Sequence, residues 1–424
     1  MTIQFLARAS HSTVSRGAAA VDTVATIQAV QNSGLPWSCR MLICELYLFR
    51  VEYLHLLSHF DRKESAMKKT VRVGMIGASW YADGMHLPSL KSHPNVEVVA
   101  ICSLRRERAA AMAGKYAIPQ VYTDHRAMFA QANLDVVVIA APDDQHYALT
   151  MDALDAGLHV ICEKELALTG AQAREMADKA EAKGVKNMTF FTFRWLPHTQ
   201  YLAELLDAGY VGRIFDCHIS YVSGGGRDGQ YKWRLDGQRG NGILGDLGSH
   251  LIDLARWYCG EITRVSAHLG HYVERPGVPA NDSAMLLLEA QGGAQVHIHA
   301  SAVAHVGKEG LQQRIAIHGD QGTLEADFFF GNFSGSGEMQ TIRGVRQDER
   351  QFQTLPIPGH IWGEVDRNDP MQVFIQGPAG DRYFIDAILG DQPVTPSFRD
   401  GARVQEIIDA ALESHHTGRW VIMG

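Results

Sequence analysis

From Val71 to Lys183 the chain alternates short apolar runs with helical stretches, and this period restricts the fold more than any other feature. Val71–Gly77, Val96–Cys102, Val136–Ala141 and Val160–Cys162 are nearly continuous in apolar residues, as strands buried on both faces must be. Arg106–Tyr116, Asp144–Ala156 and Ala171–Lys183 have helical spacing and length. The alternation predicts a doubly wound α/β domain with a parallel sheet, which binds ligands beyond its C-terminal strand ends.

The residues at those strand ends fit a dinucleotide. The first turn, Gly77-Ala78-Ser79-Trp80-Tyr81-Ala82, is a degenerate G-x-G-x-x-G/A fingerprint with Ser79 in the second glycine position and Ala82 in the third. Small residues there let the backbone approach a pyrophosphate, although the Ser79 side chain takes some of that space. Gly77, Ser79, Tyr81 and Ala82 are therefore candidate cofactor contacts. After the second strand, where an acid would bind the ribose of NAD, the chain reads Cys102-Ser103-Leu104-Arg105-Arg106. Ser103 can hydrogen-bond a 2′-phosphate and Arg105 or Arg106 can pair with it, so the side chains lean toward NADP over NAD. The bland reading is that both arginines begin a solvated helix face continued by Glu107 and Arg108. Further on, Ala141-Pro142 leaves room for the nicotinamide ribose, Asp144 is expected to cap the next helix, and His146 lies on the same segment. The strand through Val160 delivers Glu163 and Lys164 to this crevice.

Beyond Phe193 the period changes. Arg213–Val222, Val265–Val273, Ser283–Glu289, Ala294–Ala302 and Ile315–Phe329 alternate as longer strands, with turns at Gln291-Gly292-Gly293 and Gly319-Asp320-Gln321-Gly322. The prediction is an open, mostly antiparallel sheet in a second, α+β domain. Its exposed face needs a cover, so a homodimer or homotetramer through that sheet is expected. Pro356–Pro370 reads as a long loop, and Arg382–Leu389 and Gly401–His415 as helices. Between the halves, Arg194, Trp195, Arg227, Tyr231, Trp233 and Arg234 mix aromatics with guanidinium groups, which suits a polyhydroxylated ligand: rings cover the apolar faces of a sugar and guanidiniums donate to its hydroxyls. Core packing competes as the explanation for each tryptophan.

Within Gly245–Trp257, a helix would set Asp246 and His250 one turn apart on one face, with Asp253 a turn further. A histidine flanked by carboxylates is a credible proton acceptor; the competing reading is a dipole-favoured carboxylate and a structural histidine. Leu247, Leu251, Leu254 and Tyr258 would face the core.

The 424 residues are 46% hydrophobic and 20% charged, enough for about two domains. A formal net charge of −8 without a basic block argues against nucleic acid or an anionic membrane as partner. The most apolar segment, Met41–Phe60, is broken by Glu45, Arg50 and Glu52, so no membrane span is expected. Cys39, Cys44, Cys102, Cys162, Cys217 and Cys259 lack metal-type spacing; reduced thiols in the cytoplasm are expected, and no metal site. His297 and His299 alternate on a strand without a completing set.

The chain from about residue 71 to 424 resembles the glucose–fructose oxidoreductase/inositol dehydrogenase (Gfo/Idh/MocA) family. The resemblance is carried by GMIGASWYA, AAPDDQH, HVICEKELALT, GILGDLGSHLIDLARW and DGARVQEIIDAALESHHTGRW. It implies a Rossmann domain (68–190) and a substrate-binding and oligomerisation domain (191–424), acting on a sugar, glycoside or cyclitol with NAD or NADP. It further implies that Lys164 lies near the nicotinamide and substrate hydroxyl, that Asp246 and His250 form the catalytic pair, and that Trp233-Arg234 stands near cofactor and substrate. The family's usual Glu-Lys-Pro is here Glu163-Lys164-Glu165, and Glu165 either adds a carboxylate beside the site or faces solvent. The expected reaction is hydride transfer from a secondary ring alcohol. The rival expectations are a glycosidase that uses tightly held NAD in a redox cycle, and a nucleotide-binding sensor without turnover.

Residues 1–67 contain no strand–turn–helix unit and are expected to be an extension outside the fold. Met67-Lys68-Lys69-Thr70 has the form of a bacterial start, and Lys63-Glu64 can be encoded AAGGAG, a ribosome-binding sequence. Residues 1–66 are therefore expected to be leader read as protein. An intact mass of native protein that begins at Met67 is the expected result, and a mass that includes residues 1–66 refutes it.

Overall fold

The computed structural model describes residues 70–227, 233–307, 310–330, 340–367, 369 and 372–424. The expectations for residues 1–67 and for Tyr231 lie outside them. Six strands, β1 (Val71–Ile76), β2 (Val96–Cys102), β3 (Gln120–Tyr122), β4 (Val136–Ile139), β5 (His159–Glu163) and β6 (Asn187–Phe190), form a sheet ordered β3-β2-β1-β4-β5-β6. Every pairing in it is parallel. The apolar runs occupy its centre: all four residues of β4 are buried, because helices cover both faces. The crossovers carry α1 (Leu87–Ser92), α2 (Arg106–Tyr116), α3 (His125–Gln131), α4 (Asp143–Asp155) and α5 (Gly170–Lys183).

The strand order reverses between β1 and β4, where the crevice of a doubly wound sheet opens. Gly77 sits at that point with φ of +105°, its N–H donating to the Cys102 carbonyl at 2.9 Å. A Cβ there would overlap the Ala140 carbonyl oxygen, so glycine is required both for the backbone angle and for the approach of the two turns. The Ser79 hydroxyl accepts from the Ala82 N–H at 3.2 Å, turning the side chain back onto its own helix start. Strands β3 and β6 escaped the sequence reading. β3 has three half-buried residues, and β6 carries polar Asn187 and Thr189, whose groups bond to the Phe398 N–H and the Ser397 carbonyl.

The second sheet has nine strands, β7 (Ile214–Ser223), β8 (Ile262–Gly270), β9 (Ser283–Ala290), β10 (Gln295–Ser301), β11 (Leu311–Gly319), β12 (Gly322–Phe330), β13 (Gln340–Arg346), β14 (Gln353–Thr354) and β15 (Val421–Ile422). Their order is β14-β13-β12-β11-β7-β10-β9-β8-β15. All neighbours are antiparallel except β7 and β10, which run parallel in register. Period-2 alternation sends Cys217, Ile219 and Tyr221 of β7 and Val296, Ile298 and Ala300 of β10 into the core. There they share a cluster with Leu251, Leu254 and Tyr258. Asp216, His218, His297 and His299 face the other way.

The remaining helices are α6 (Pro197–Asp207), α7 (Ser249–Cys259), α8 (Gly359–Trp362), α9 (Gln372–Gln376), α10 (Gly380–Leu389) and α11 (Phe398–Thr417). Thus the expected loop at Pro356–Pro370 contains a helical turn, held by the buried Trp362. Helix α11 starts in a capping box between Ser397 and Asp400 and ties the two halves together. Asp409 accepts from the Gly170 N–H at 2.7 Å, while Ser414 accepts from the Ala267 N–H of β8 at 3.0 Å. The halves accordingly share one compact unit, Thr70–Gly424. Gly77→Ala is expected to cost at least about 2 kcal/mol through combined strain and overlap, read as a lower urea midpoint; an unchanged midpoint refutes this account of the turn.

Candidate active site

Lys164 stands just past the end of β5 and reaches across to the segment leading into α7. Its Nζ donates to Asp246 Oδ1 at 2.8 Å and to the Asp246 carbonyl at 2.9 Å. Arg234 Nε donates to the same Oδ1 at 3.1 Å, and its guanidinium lies 4.2 Å over the Trp233 ring. Burial opposes the Asp246 charge, but Lys164 and Arg234 outweigh it and hold the carboxyl below its usual range. Lys164 is likewise penalised by burial, yet Asp246 raises its pKa, so it stays protonated.

The expected continuous helix from Gly245 needs correction. Leu244–Gly248 is a π-helical turn and α7 begins only at Ser249. The turn is pinned from both sides. Asn281 Oδ1 accepts from the Leu244 N–H at 2.9 Å, and Glu165 accepts from Asn241 N at 3.1 Å and Nδ2 at 2.7 Å. A Cβ on Gly245 would overlap the Glu165 carboxylate. Glu165 is therefore a buried carboxylate beside the site, 2% exposed, and does not face solvent. Burial raises its pKa, and burial together with Glu165 pushes the neighbouring Asp143 well above the usual range. The Lys164–Glu165 peptide is cis.

His250 is 4% exposed and lies in a ring-lined pocket, stacked on Phe193 at 4.1 Å between centroids with Phe191 edge-on at 6.2 Å. Burial and the Lys164 charge depress its pKa well below the ordinary 6.5, with Asp246 opposing less strongly. The ring is thus neutral at pH 7, and its buried Nδ1 has no hydrogen-bond partner among the described residues. Asp253 does not flank it. That carboxylate is taken by Arg194, whose Nε and Nη2 each donate to it at 2.8 Å.

Several candidate contacts are engaged with other parts of the protein. Arg194, 9% exposed, is committed to Asp253 and lies over Trp257, so it is not free for substrate. Trp195 packs on Tyr383 at 4.7 Å, and exposed Arg227 donates to the Val303 carbonyl at 2.8 Å. Asp144 does not cap α4: Pro142 holds the cap position, and Asp144 pairs with Arg239 through two bonds of 3.0 and 3.1 Å. His146 is wholly buried and donates to the Glu165 carbonyl at 2.7 Å and the Ala141 carbonyl at 2.9 Å. Burial opposes its charge, but Cys162 and these two carbonyls push it up to about 9. It braces the Ala141-Pro142 turn against Glu165.

Glu163 serves a buried triad that the sequence did not reveal. His86 Nε2 donates to Glu163 at 3.0 Å, and Nδ1 donates to Asp381, more than 290 positions away, at 3.0 Å. Tyr81, whose hydroxyl bonds Thr192 Oγ1 at 2.7 Å, lies edge-on to the His86 ring. Asp246 joins Lys164 and Arg234 by direct bonds, with neutral His250 one turn on. Ser103 accepts from the Arg105 N–H at 3.3 Å. Arg105 and Arg106 are exposed and have no ion-pair partner among the described residues.

Comparison with known proteins accords with this geometry. Residues 71–191 match the model of an oxidoreductase family with an NAD-binding Rossmann fold (GFO_IDH_MocA), and residues 199–325 match the GFO/IDH/MocA C-terminal domain. The chain is 35% identical over 375 residues to D-glucoside 3-dehydrogenase of Escherichia coli, which covers 84% of this chain and 98% of that relative. The chain belongs to the Gfo/Idh/MocA family of oxidoreductases. Within the family it is also 29% identical to levoglucosan dehydrogenase of Pseudarthrobacter phenanthrenivorans, over 76% of this chain and 88% of that one. A solved levoglucosan dehydrogenase in complex with NADH and levoglucosan superposes with a TM-score of 0.72 at 26% identity, covering 83% of this chain and 99% of that one.

The buried triad sets a stability prediction. Burial opposes the His86 charge, but Asp381 and Glu163 push it up to about 10. Its pairing therefore stabilises fully below about pH 6.5, the unfolded value, and the contribution is lost as pH rises through about 10. Asp381→Asn is expected to cost about 3–5 kcal/mol at neutral pH. The gap in urea midpoint from the parent protein should narrow toward pH 10, and a gap independent of pH refutes the charged triad.

Proposed function

We propose that the protein reversibly oxidises a secondary ring hydroxyl of a sugar or glycoside, with Lys164, Asp246 and His250 acting on that hydroxyl. The observation that carries this reading is the buried, neutral His250 beside the Lys164–Asp246 pair at the C-terminal strand ends. The residues fit a dinucleotide. Gly77 makes the close turn at the switch point, and the Ala141-Pro142 turn is braced from behind by His146. When bound, the nicotinamide supplies the hydride acceptor. His250 accepts the hydroxyl proton as the carbon gives up its hydride, leaving a ketone; in reverse it returns the proton. Lys164 donates to the same oxygen and stabilises its developing charge. Asp246 stays ionised and holds Lys164 and Arg234 in place. Trp233, under the Arg234 guanidinium, offers a ring face to the sugar.

The finer readings have their own support. Absence of an acid after β2, with Ser103 and the exposed Arg105 and Arg106 there, favours NADP over NAD. A glycoside or free hexose is the leading substrate class, in line with the names of the two dehydrogenase relatives. Exposed Met285, Leu287 and Phe329 on the open face of the second sheet support a homo-oligomer through that face. The free thiols Cys102, Cys162, Cys217 and Cys259 accord with the cytoplasm. No helix among the described residues is long and apolar enough to cross a membrane. Functionally the chain divides at 190/191, nucleotide side and substrate side.

A panel of hexoses, glycosides and inositols with NAD or NADP, followed by reduced-nicotinamide absorbance, tests the reading. Sustained reduction is expected, faster with NADP. Lys164→Ala and His250→Ala should each lower turnover by about 10²–10⁴-fold with cofactor binding intact. The acid limb of kcat/KM should fall only below pH 6.5, because the base must be neutral and its pKa is depressed. Near-parental turnover in both variants overturns the assignment, and glycoside cleavage without net reduction establishes the redox glycosidase instead.

A further inference from the structure

A concavity of about 910 Å³ lies on the open face of the second sheet, away from the Lys164 crevice, and its lining is rich in histidine. Two adjacent strands build its centre. Asp216 and His218 are two apart on β7 and share a face, and the parallel register sets His297 of β10 directly opposite His218. The imidazoles stack at 4.4 Å between centroids with 16° between planes. His218 Nε2 is 2.7 Å from Asp216 Oδ1, and His297 Nε2 is 3.9 Å from Asp216 Oδ2. One donor atom from each residue lies within 4.8 Å of the others, the sole such group of three among the described residues.

We propose that Asp216, His218 and His297 bind one divalent transition-metal ion per chain, with Zn²⁺ as the fitting example. Two nitrogens and a carboxylate oxygen match the donor set that zinc takes, at about 2.0–2.2 Å each. In a tetrahedral site two such ligand atoms are about 3.3–3.6 Å apart, so donor atoms now within 4.8 Å of one another must close by up to about 1.5 Å. They are free to do so, because all three are a third to a half exposed. An Asp–His ion pair alone explains the arrangement poorly. Asp216 Oδ1 is withdrawn from solvent and, although close to His218 Nε2, makes no aligned hydrogen bond. A cation satisfies the oxygen and uses the nitrogen lone pairs together. Three protein ligands leave the fourth position to water, and an assembly paired through this face encloses the ion.

The test is titration of the full chain, stripped with chelator, with Zn²⁺ against a chromogenic competitor, and with Co²⁺ followed by its visible d–d absorption. One ion per chain and tetrahedral Co²⁺ bands are expected. Asp216→Asn, His218→Ala and His297→Ala should each weaken binding by at least about tenfold. His415→Ala, whose imidazole accepts from the Leu269 N–H of β8 at 3.2 Å and does not line the concavity, should leave it unchanged. Parental thermal unfolding of the metal-free variants shows that they fold. Binding that survives all three substitutions, or is lost only in His415→Ala, overturns the proposal, as does failure of the parent chain to bind either ion.

Discussion

The Lys164–Asp246 ion pair is the interaction on which the site depends, because it joins the end of the nucleotide sheet to the turn that enters α7. Lys164 comes from the edge of the nucleotide crevice and Asp246 from the turn that feeds α7 onto the second sheet. A buried charge pair is tolerated only when further bonds satisfy it, and here Arg234 supplies the second cation. The Lys164 ammonium suits an oxygen gaining negative charge, and burial together with that charge keeps the adjacent imidazole of His250 neutral.

Three buried histidines show how environment sets the role of one residue type. His86, between two carboxylates, and His146, between two carbonyls, are held as imidazolium props. His250 lies against phenyl rings and a lysine, so burial is reinforced by like charge and the ring stays unprotonated. The props matter to the site because each braces one wall: His86 fixes Glu163 and His146 fixes the Ala141-Pro142 turn. The scaffold consumes its charges locally, which explains why Arg194, Asp253, Asp144 and Glu163 are structural partners.

Much of the fold was legible along the chain. Continuous apolar runs forecast β1, β2, β4 and β5, and alternation forecast β7 to β12, since burial on two faces or one is written directly in residue period. β3 and β6 were not, because three residues or an Asn-Met-Thr-Phe sequence hold no period to detect. The π-helical turn at Leu244–Gly248 was also invisible: it arises from Glu165, Asn241 and Asn281 gripping one segment. Glu165 itself could be read two ways from sequence, and only its bonds to Asn241 decide that it is buried.

The sequence by itself determined the doubly wound class of the first sheet, the small-residue turn that begins at Gly77, and the family to which Lys164, Asp246 and His250 belong. These are local matters of period and motif. Tertiary structure decided which charges are free. Arg194 finds Asp253 59 positions away and His86 finds Asp381 295 positions away. The register of β7 against β10 likewise brings His218 to His297, 79 positions away, a pairing fixed by hydrogen-bonded strands and not by spacing. Partnership over such separations is set by packing, so pairing, burial and protonation state emerge only once the chain has folded.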